Sequence, residues 1–307
     1  MTMAAACLEP IAAPHGIVAR HDCHAIALAA VRSLYDELSL YPKPGLVSLV
    51  DNGSHCDMDA GTFMRSLFAL RRYFFHIAAA GAANAPFSEL KRLGIAAERR
   101  MLAATGGVNT HRGAIFCIGM LCAAAGRCKA LGLPTTPDAV RATLQRAWGT
   151  ALTAHADIGG TAHADAGGAS HGLAMAARHG AGGAREEAAL GMPSVFVVAL
   201  PTLQRAHAQT RCWERARIEA LFALMAHASD TNVYYRGGAA GAALVRSLAQ
   251  RFIDRGGVQR ADWLRYATAC HRIYTRRRLS PGGAADLLAA TCLLHRLDLP
   301  VQGGEQR

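Results

Sequence analysis

Apolar residues recur along most of this 307-residue chain at the three-and-four spacing of helices with one buried face. From His21 to Leu38 the positions Ile26, Ala30, Val31, Leu34 and Leu38 share one side. Residues 1–20, interrupted by Glu9, Pro10 and Pro14, read instead as an irregular extension. The first helix must stop at Tyr41-Pro42-Lys43-Pro44-Gly45, since proline removes a donor and restricts the residue before it. The polar stretch from there to Asp57 reads as an extended loop, the kind of segment that often carries function.

Further helices follow from cap chemistry. Asp59 is placed to cap a helix reaching about Ala80, with Phe63, Leu67, Leu70, Phe74 and Ile77 inward, and Ser88 to cap another reaching Ala103. A long apolar helix runs from about Thr110 to Leu131 and stops at Gly132, with Pro134 beyond. Thr136-Pro137 opens the next, to about His155. Asp157 to Gly183 is Gly- and Ala-rich and reads as loop, with a helical turn or more near Ser170 to His179. Ser194 to Leu200 is β-branched, but its helical surroundings favour a buried helix over a strand. Arg211–Ser229, Gly238–Asp254 and Ala261–Arg278 are amphipathic, and Pro281–Leu297 follows with Ser280 as its cap. The pattern predicts an all-α fold, a single large bundle-like domain of about ten helices over residues 21–300, without internal repeats.

Composition sharpens this only in part. With 51% hydrophobic but 6% aromatic residues, closely packed helices are favoured. A net charge of +11 and pI near 9.6 suggest an anionic partner: nucleic acid, a membrane surface or a polyphosphate. Lysine occurs only at Lys43, Lys91 and Lys129, so arginine carries the charge, which suits bidentate phosphate contacts and equally reflects a GC-rich genome. The nine cysteines form no CxxC pair and read as reduced core residues of a cytoplasmic protein. No signal peptide is indicated, and the apolar segments Ala25–Leu34 and Ala114–Ala125 are shorter than the roughly 20 residues of a membrane span. Dispersed arginines and carboxylate-bearing polar clusters argue against a nucleic-acid module.

Five polar clusters pack charged, amide and glycine residues into turns beside helix starts: Lys43–Asp57, Gly107–Gly113, Arg185-Glu186-Glu187, Asp230–Gly238, and Ser280–Gly283 with Asp286. Glycines in a first helical turn leave amides open to an anion, so Gly237-Gly238 and Gly282-Gly283 are candidate phosphate sites. Ser280–Gly283 reads first as a plain capped helix start, and the Asp230-Thr231-Asn232 turn is equally readable as a helix-end turn satisfied by its own side chains. No Gly-Lys-Ser/Thr occurs, which excludes a P-loop. The twin His155-Ala156-Asp157 and His163-Ala164-Asp165 invites a metal reading but lacks helical spacing; with fourteen histidines, it motivates a rival reading as a metal-dependent helical nucleotide hydrolase.

These clusters stand in the order and nearly the wording of the triphosphoribosyl-dephospho-CoA synthase family, which the chain resembles through YPKPGLV (Tyr41–Val47), NGSHCDM (Asn52–Met58), GVNTHRGAIF (Gly107–Phe116), AREEA (Ala184–Ala188), DTNVYYRGG (Asp230–Gly238) and LSPGGAADLL (Leu279–Leu288). Two positions depart from the family's wording: Arg112 where lysine is usual, and Glu186 where glycine is common. The resemblance implies an all-helical enzyme that transfers the 5-triphosphoribosyl group of ATP to the ribose 2'-hydroxyl of 3'-dephospho-CoA, releasing adenine. A β-linked donor giving an α-linked product implies a single in-line displacement, so Cys56 is incidental. The product is the prosthetic-group precursor of the acyl carrier subunit of malonate decarboxylase or citrate lyase, passed on to a holo-transferase; overall likeness favours the malonate decarboxylase system.

Carried onto this sequence, the resemblance implies that Lys43, Arg112, Arg236 and the Gly237-Gly238 and Gly282-Gly283 amides cradle triphosphate. Asn109 and Asn232 would read ribose or adenine, and Gly45, Asn52, Gly53, Thr110, Gly113, Arg185, Thr231 and Ser280 complete the binding set. Mg²⁺ would be held by some of Asp57, Glu187, Asp230 and Asp286, and the base would be one of His55, His111, Asp57 and Asp230. Both histidines are also readable as polar loop residues bonded to backbone.

Overall fold

The computed structural model describes residues 17–161 and 184–299, all helix and connecting turn, with eleven α-helices and no strand among the described residues. The order is α1 (Ile17–Leu38), α2 (Ala60–Ala82), α3 (Phe87–Thr105), α4 (Arg112–Ala130), α5 (Pro137–Thr161), α6 (Ala184–Ala189), α7 (Leu200–Thr210), α8 (Trp213–His227), α9 (Thr231–Asp254), α10 (Trp263–Arg277) and α11 (Gly282–Asp298). A π-helical turn, Ser194–Ala199, leads into α7 and a 3₁₀ turn, Gly257–Gln259, into α10.

The buried centre is α4, of whose 19 residues 13 are buried, so it is apolar all round rather than amphipathic. It runs longer than the Ala114–Ala125 stretch suggests and has the length and composition of a membrane span, but it lies mostly buried among its neighbours. Around it pack α2, α1, α5 and α11, while α7, α8 and α9 build the other side against α11 and α10 packs on α9. The tightest approach joins α2 and α4: a Cβ on Gly126 would overlap the Ala78 carbonyl, and one on Gly81 the Ala123 backbone. Small residues here let two helix backbones touch.

Cap chemistry sets several ends as expected. Asp59 caps α2 in a capping box with Thr62, and Pro137 opens α5. Four ends differ. Ser88 lies inside α3, because Pro86, extended at φ −65° and ψ 156°, already turns the chain into the helix. The run at Ser194 is helical, as favoured over a strand, but continues to Thr210, where Arg211 adopts a left-handed conformation at φ 54°. The helix expected from Gly238 begins at Thr231, and Gly238 itself breaks it at φ 59°, ψ −162°. α5 extends to Thr161, past the expected end at His155. The turn expected near Ser170–His179, and His163 and Asp165, lie outside the described residues, as do residues 1–16 of the expected extension; α1 already begins at Ile17.

The loop of residues 39–59 is folded against the end of the chain. Gly45, at φ +71°, sits where any Cβ would overlap the Leu279 carbonyl, and the Ser54 hydroxyl donates to that same carbonyl at 2.5 Å. His271 Nδ1 donates to the Lys43 carbonyl at 2.9 Å. Gly126→Ala is expected to force α2 and α4 apart and cost about 1–3 kcal/mol, read as a lowered melting temperature; an unchanged melting temperature would show that the contact relaxes freely.

Candidate functional site

The start of α11 is where polar turns from distant parts of the sequence meet. Ser280 Oγ lies 2.8 Å from His55 Nε2. His55 Nδ1 accepts an N–H of Arg236 at 3.1 Å and stands 3.4 Å from an Asp57 carboxylate oxygen. A guanidinium can only donate, so this geometry leaves the His55 proton on Nε2, donated to Ser280. Burial and the neighbouring Arg236 hold His55 below its ordinary pKa, against the pull of Asp57. Two residues on, Gly282 packs under the Asn232 side chain, whose Nδ2 is 2.8 Å from where a Cβ would stand.

Asp230 joins two helix starts. Its Oδ1 accepts the amides of Asn232 at 2.9 Å and Val233 at 3.4 Å in α9, and its Oδ2 accepts Ala284 N–H of α11 at 3.0 Å. The Gly283 amide also bonds it, so the carboxylate spends its lone pairs on backbone. Burial raises its pKa, and the four amides oppose the rise. Asp230, not Ser280, therefore caps α11: the Ser280 side chain makes no cap bond because it is turned to His55. The third helix start is tied in by Asp286, which accepts the Ala114 amide of α4 and fills the space that a side chain at Gly113 would need.

Beneath these starts lie Lys43 and Glu37, an ion pair buried on both sides. Burial lowers the ammonium and raises the carboxyl, and each partner opposes the shift of the other. Asp286, partly buried, is pushed well up by burial and by the charges of Glu37 and Asp230. Lys43 answers Glu37 directly and feels the charge of Asp51, while Asp286 stands within reach of the charges of Glu37 and Asp230.

His111 is 3% exposed and caps α4 without a side-chain cap bond. The Thr110 hydroxyl donates to Ser66 at 2.8 Å, and Ser66 donates to His111 Nδ1 at 2.6 Å. The proton of the neutral ring therefore sits on Nε2, a buried nitrogen without a partner among the described residues. Burial, then the Lys43 charge, lowers its pKa to about 3.

Other predicted residues take framing or rim positions. Arg112 is paired with Glu98, and its backbone N–H donates to Asn109 Oδ1 at 3.1 Å. Asn52, Asn109, Asn232 and Arg236 are exposed; Thr231 is half-buried at the start of α9. Gly53, at φ +55°, is pressed on the Leu46 carbonyl, and Gly237 against Leu279. Arg185 and Glu187 stand apart from this cluster on α6, where Glu187 accepts the Ser194 amide at 2.6 Å and its hydroxyl at 3.0 Å. Among the described residues no three His, Cys, Asp or Glu side chains assemble as a ready metal-binding group.

Glu37, Ser66, Glu98 and His271 escape a reading of polar clusters because they sit inside helices. A signal does exist for the first: the stripe Ile26, Ala30, Leu34 of α1 continues on the same side through polar Ser33 and Glu37, both buried. A charge on a buried stripe needs a partner nearby, and Lys43 is that partner.

The profile of the ATP:dephospho-CoA triphosphoribosyl transferase family matches residues 23–304. A protein of Acinetobacter calcoaceticus named "Probable 2-(5''-triphosphoribosyl)-3'-dephosphocoenzyme-A synthase" is 38% identical over 271 residues, covering 88% of this chain and 90% of that one. A 2-(5''-triphosphoribosyl)-3'-dephosphocoenzyme-A synthase of Pectobacterium atrosepticum is 41% identical over 277 residues, covering 84% of each. No solved structure matches the chain.

The state of His111 has a sign that can be checked. Its pKa in the folded chain, about 3, lies below the ordinary 6.5, so the unfolded chain takes up the proton first. Stability is intact above pH 6.5 and falls as pH drops towards 3. His111→Gln is expected to remove that part of the acid loss, flattening melting temperature against pH relative to the parent; parallel curves would show that His111 is not held neutral.

Proposed function

The chain belongs to the ATP:dephospho-CoA triphosphoribosyl transferase family, and we propose that it attaches the 5-triphosphoribosyl group of ATP to the ribose 2'-hydroxyl of 3'-dephospho-CoA. The observation that supports this reading is the convergence at residues 280–286 of the turns carrying His55, Gly113, Asp230, Asn232 and Arg236. It is a transferase, and the bond that changes is glycosidic: C1'–O forms as C1'–N9 breaks, and the electron pair leaves with adenine. The hydroxyl proton passes to a base and finally to the released adenine.

Geometry narrows the choice of base. The lone pairs of Asp230 are held by amides, Nδ1 of His111 by Ser66 and Nδ1 of His55 by Arg236. Asp57, whose side chain is 54% exposed beside His55, keeps a free carboxylate, and we assign it the proton. Arg236 and Asn232 at the rim, with Asn109 and Arg112 across α4, take the triphosphate and ribose, while Asp230 and the Lys43–Glu37 pair hold the helix starts in place.

The donor set fits Mg²⁺. Around Asp286 the charges of Glu37 and Asp230 make a floor that a cation would relieve, and carboxylate oxygens are the ligands this ion prefers. Asp286, which accepts one amide, would hold it, and the ion would supply charge neutralisation between that floor and the phosphates. The product is read as the precursor of the prosthetic group of a malonate decarboxylase or citrate lyase acyl carrier protein, with the first favoured by overall likeness. Its next acceptor is a holo-transferase. Substrates of this kind place the enzyme in the cytoplasm.

Incubation with ATP, Mg²⁺ and dephospho-CoA is expected to release free adenine; ADP or inorganic phosphate as the product would sink this reading. Asp57→Asn should lower kcat by roughly a hundredfold or more with the fold retained in circular dichroism. Asp286→Asn should raise the Mg²⁺ concentration for half-maximal rate at least several-fold, and an unchanged requirement would remove Asp286 from the ion.

A further inference from the structure

A second group of side chains, outside the polar meeting point, gathers where α3, α4, α5 and α6 come together. The ring of His155 on α5 lies 5.2 Å from that of Phe87, at the first residue of α3, and 6.4 Å from that of Phe116 on α4. Trp148, two turns before His155, fixes α5 to this corner by donating its indole N–H to the Ala85 carbonyl at 2.9 Å. Lys91 follows Phe87 by four residues and so rides the same face of α3. Arg185 comes from α6, which packs on both α5 and α4. Phe87, Phe116, His155 and Arg185 are each partly exposed, and Lys91 is exposed.

Neither cation has an ion-pair partner among the described residues, whereas Arg112 is paired with Glu98 and Arg236 is bonded to the Ser54 carbonyl. Burial lowers the pKa of Arg185, and together with burial the charges of Arg185 and Lys91 hold His155 at about 4. A half-buried guanidinium beside a neutral imidazole, with no carboxylate paired to it among the described residues, is stabilised when something anionic arrives. The corner adjoins the proposed site: Phe116 is one helical turn beyond Gly113, which Asp286 contacts, and the next residue, Cys117, touches the Asp286 carbonyl at 3.7 Å.

We propose that Phe87, Phe116 and His155, flanked by Lys91 and Arg185, form a subsite for an adenine nucleotide moiety, the rings receiving the purine face and the two cations the phosphate attached to it. The inference rests on the transferase reading, under which both substrates, ATP and dephospho-CoA, carry an adenine ring next to phosphate. It takes up His155, which the polar meeting point leaves unused, and gives Arg185 a ligand although it stands apart from that cluster.

The test separates the two sources of the same chemistry. Titration calorimetry with ATP, dephospho-CoA and inorganic tripolyphosphate, each with MgCl₂, is run on the parent, Phe116→Leu, Arg185→Gln and the double variant Lys91→Gln/Arg185→Gln. Phe116→Leu is expected to weaken one of the two adenine-bearing substrates roughly tenfold, the order of one lost stacked base, and to leave tripolyphosphate binding unchanged. The double variant should weaken the same substrate and flatten the salt dependence of its binding. Loss on the ATP titration assigns the subsite to the donor, and loss on the dephospho-CoA titration to the acceptor. Unchanged affinity for both substrates in the double variant, which alters no buried apolar residue, overturns the proposal, as does a loss in Phe116→Leu that extends equally to tripolyphosphate. Because binding is read directly, a parent that binds nucleotides but releases no adenine would defeat the transferase reading while still deciding the subsite.

Discussion

One buried carboxylate organises this molecule. Asp230 accepts amides from the first turns of both α9 and α11, four N–H groups on two oxygens. Every helix begins with unsatisfied donors, and most satisfy them from a side chain close in sequence or from water. Here one residue does so for two helices, one of which begins 52 residues later, so the starts of α9 and α11 cannot separate without stranding buried donors. The α11 start in turn carries Ser280 to His55 and Asp286 to α4, and the meeting of the polar turns follows from that single junction.

The electrostatics around the junction are those of a site waiting for charge. Glu37, Asp230 and Asp286 outnumber Lys43, and burial drives all three carboxyls up and the ammonium down. The two histidines nearest the junction are both held below their ordinary pKa, and both have Nδ1 committed as acceptor, to Ser66 and to Arg236. A neutral imidazole whose proton is fixed on Nε2 is a donor, not a base. Polarity in the centre is therefore committed to holding its neighbours, while the Asp57 carboxylate stands exposed at the rim.

Much of this was legible in the sequence and some was not, for identifiable reasons. Helix existence followed from periodicity and from the Asp59 and Pro137 starts, because those signals are local. The polar turns were visible because prolines, glycines and charges do not belong in apolar helices. The partner of each polar group was not visible. Ser280 has the composition of a cap and sits in the right place, yet the cap comes from Asp230 on another helix, which no local rule can identify. Gly282 and Gly283 look like an open anion nest, but their amides are used by Ser280 and Asp230. Glu37 and Ser66, hidden inside helices, needed the packing of α1 and α2 to acquire a role.

The loop that presents His55 and Asp57 is fixed to the far end of the chain: Ser54 bonds the carbonyls of Tyr274 and Leu279, 220 and 225 residues away. On a ribosome, the early helices emerge long before those carbonyls exist. The Ser54 hydroxyl then lacks those acceptors, and Gly45 has no wall to fit against. The loop is consequently locked only when α10 and α11, which flank those carbonyls, have left the exit tunnel and closed over a segment made much earlier.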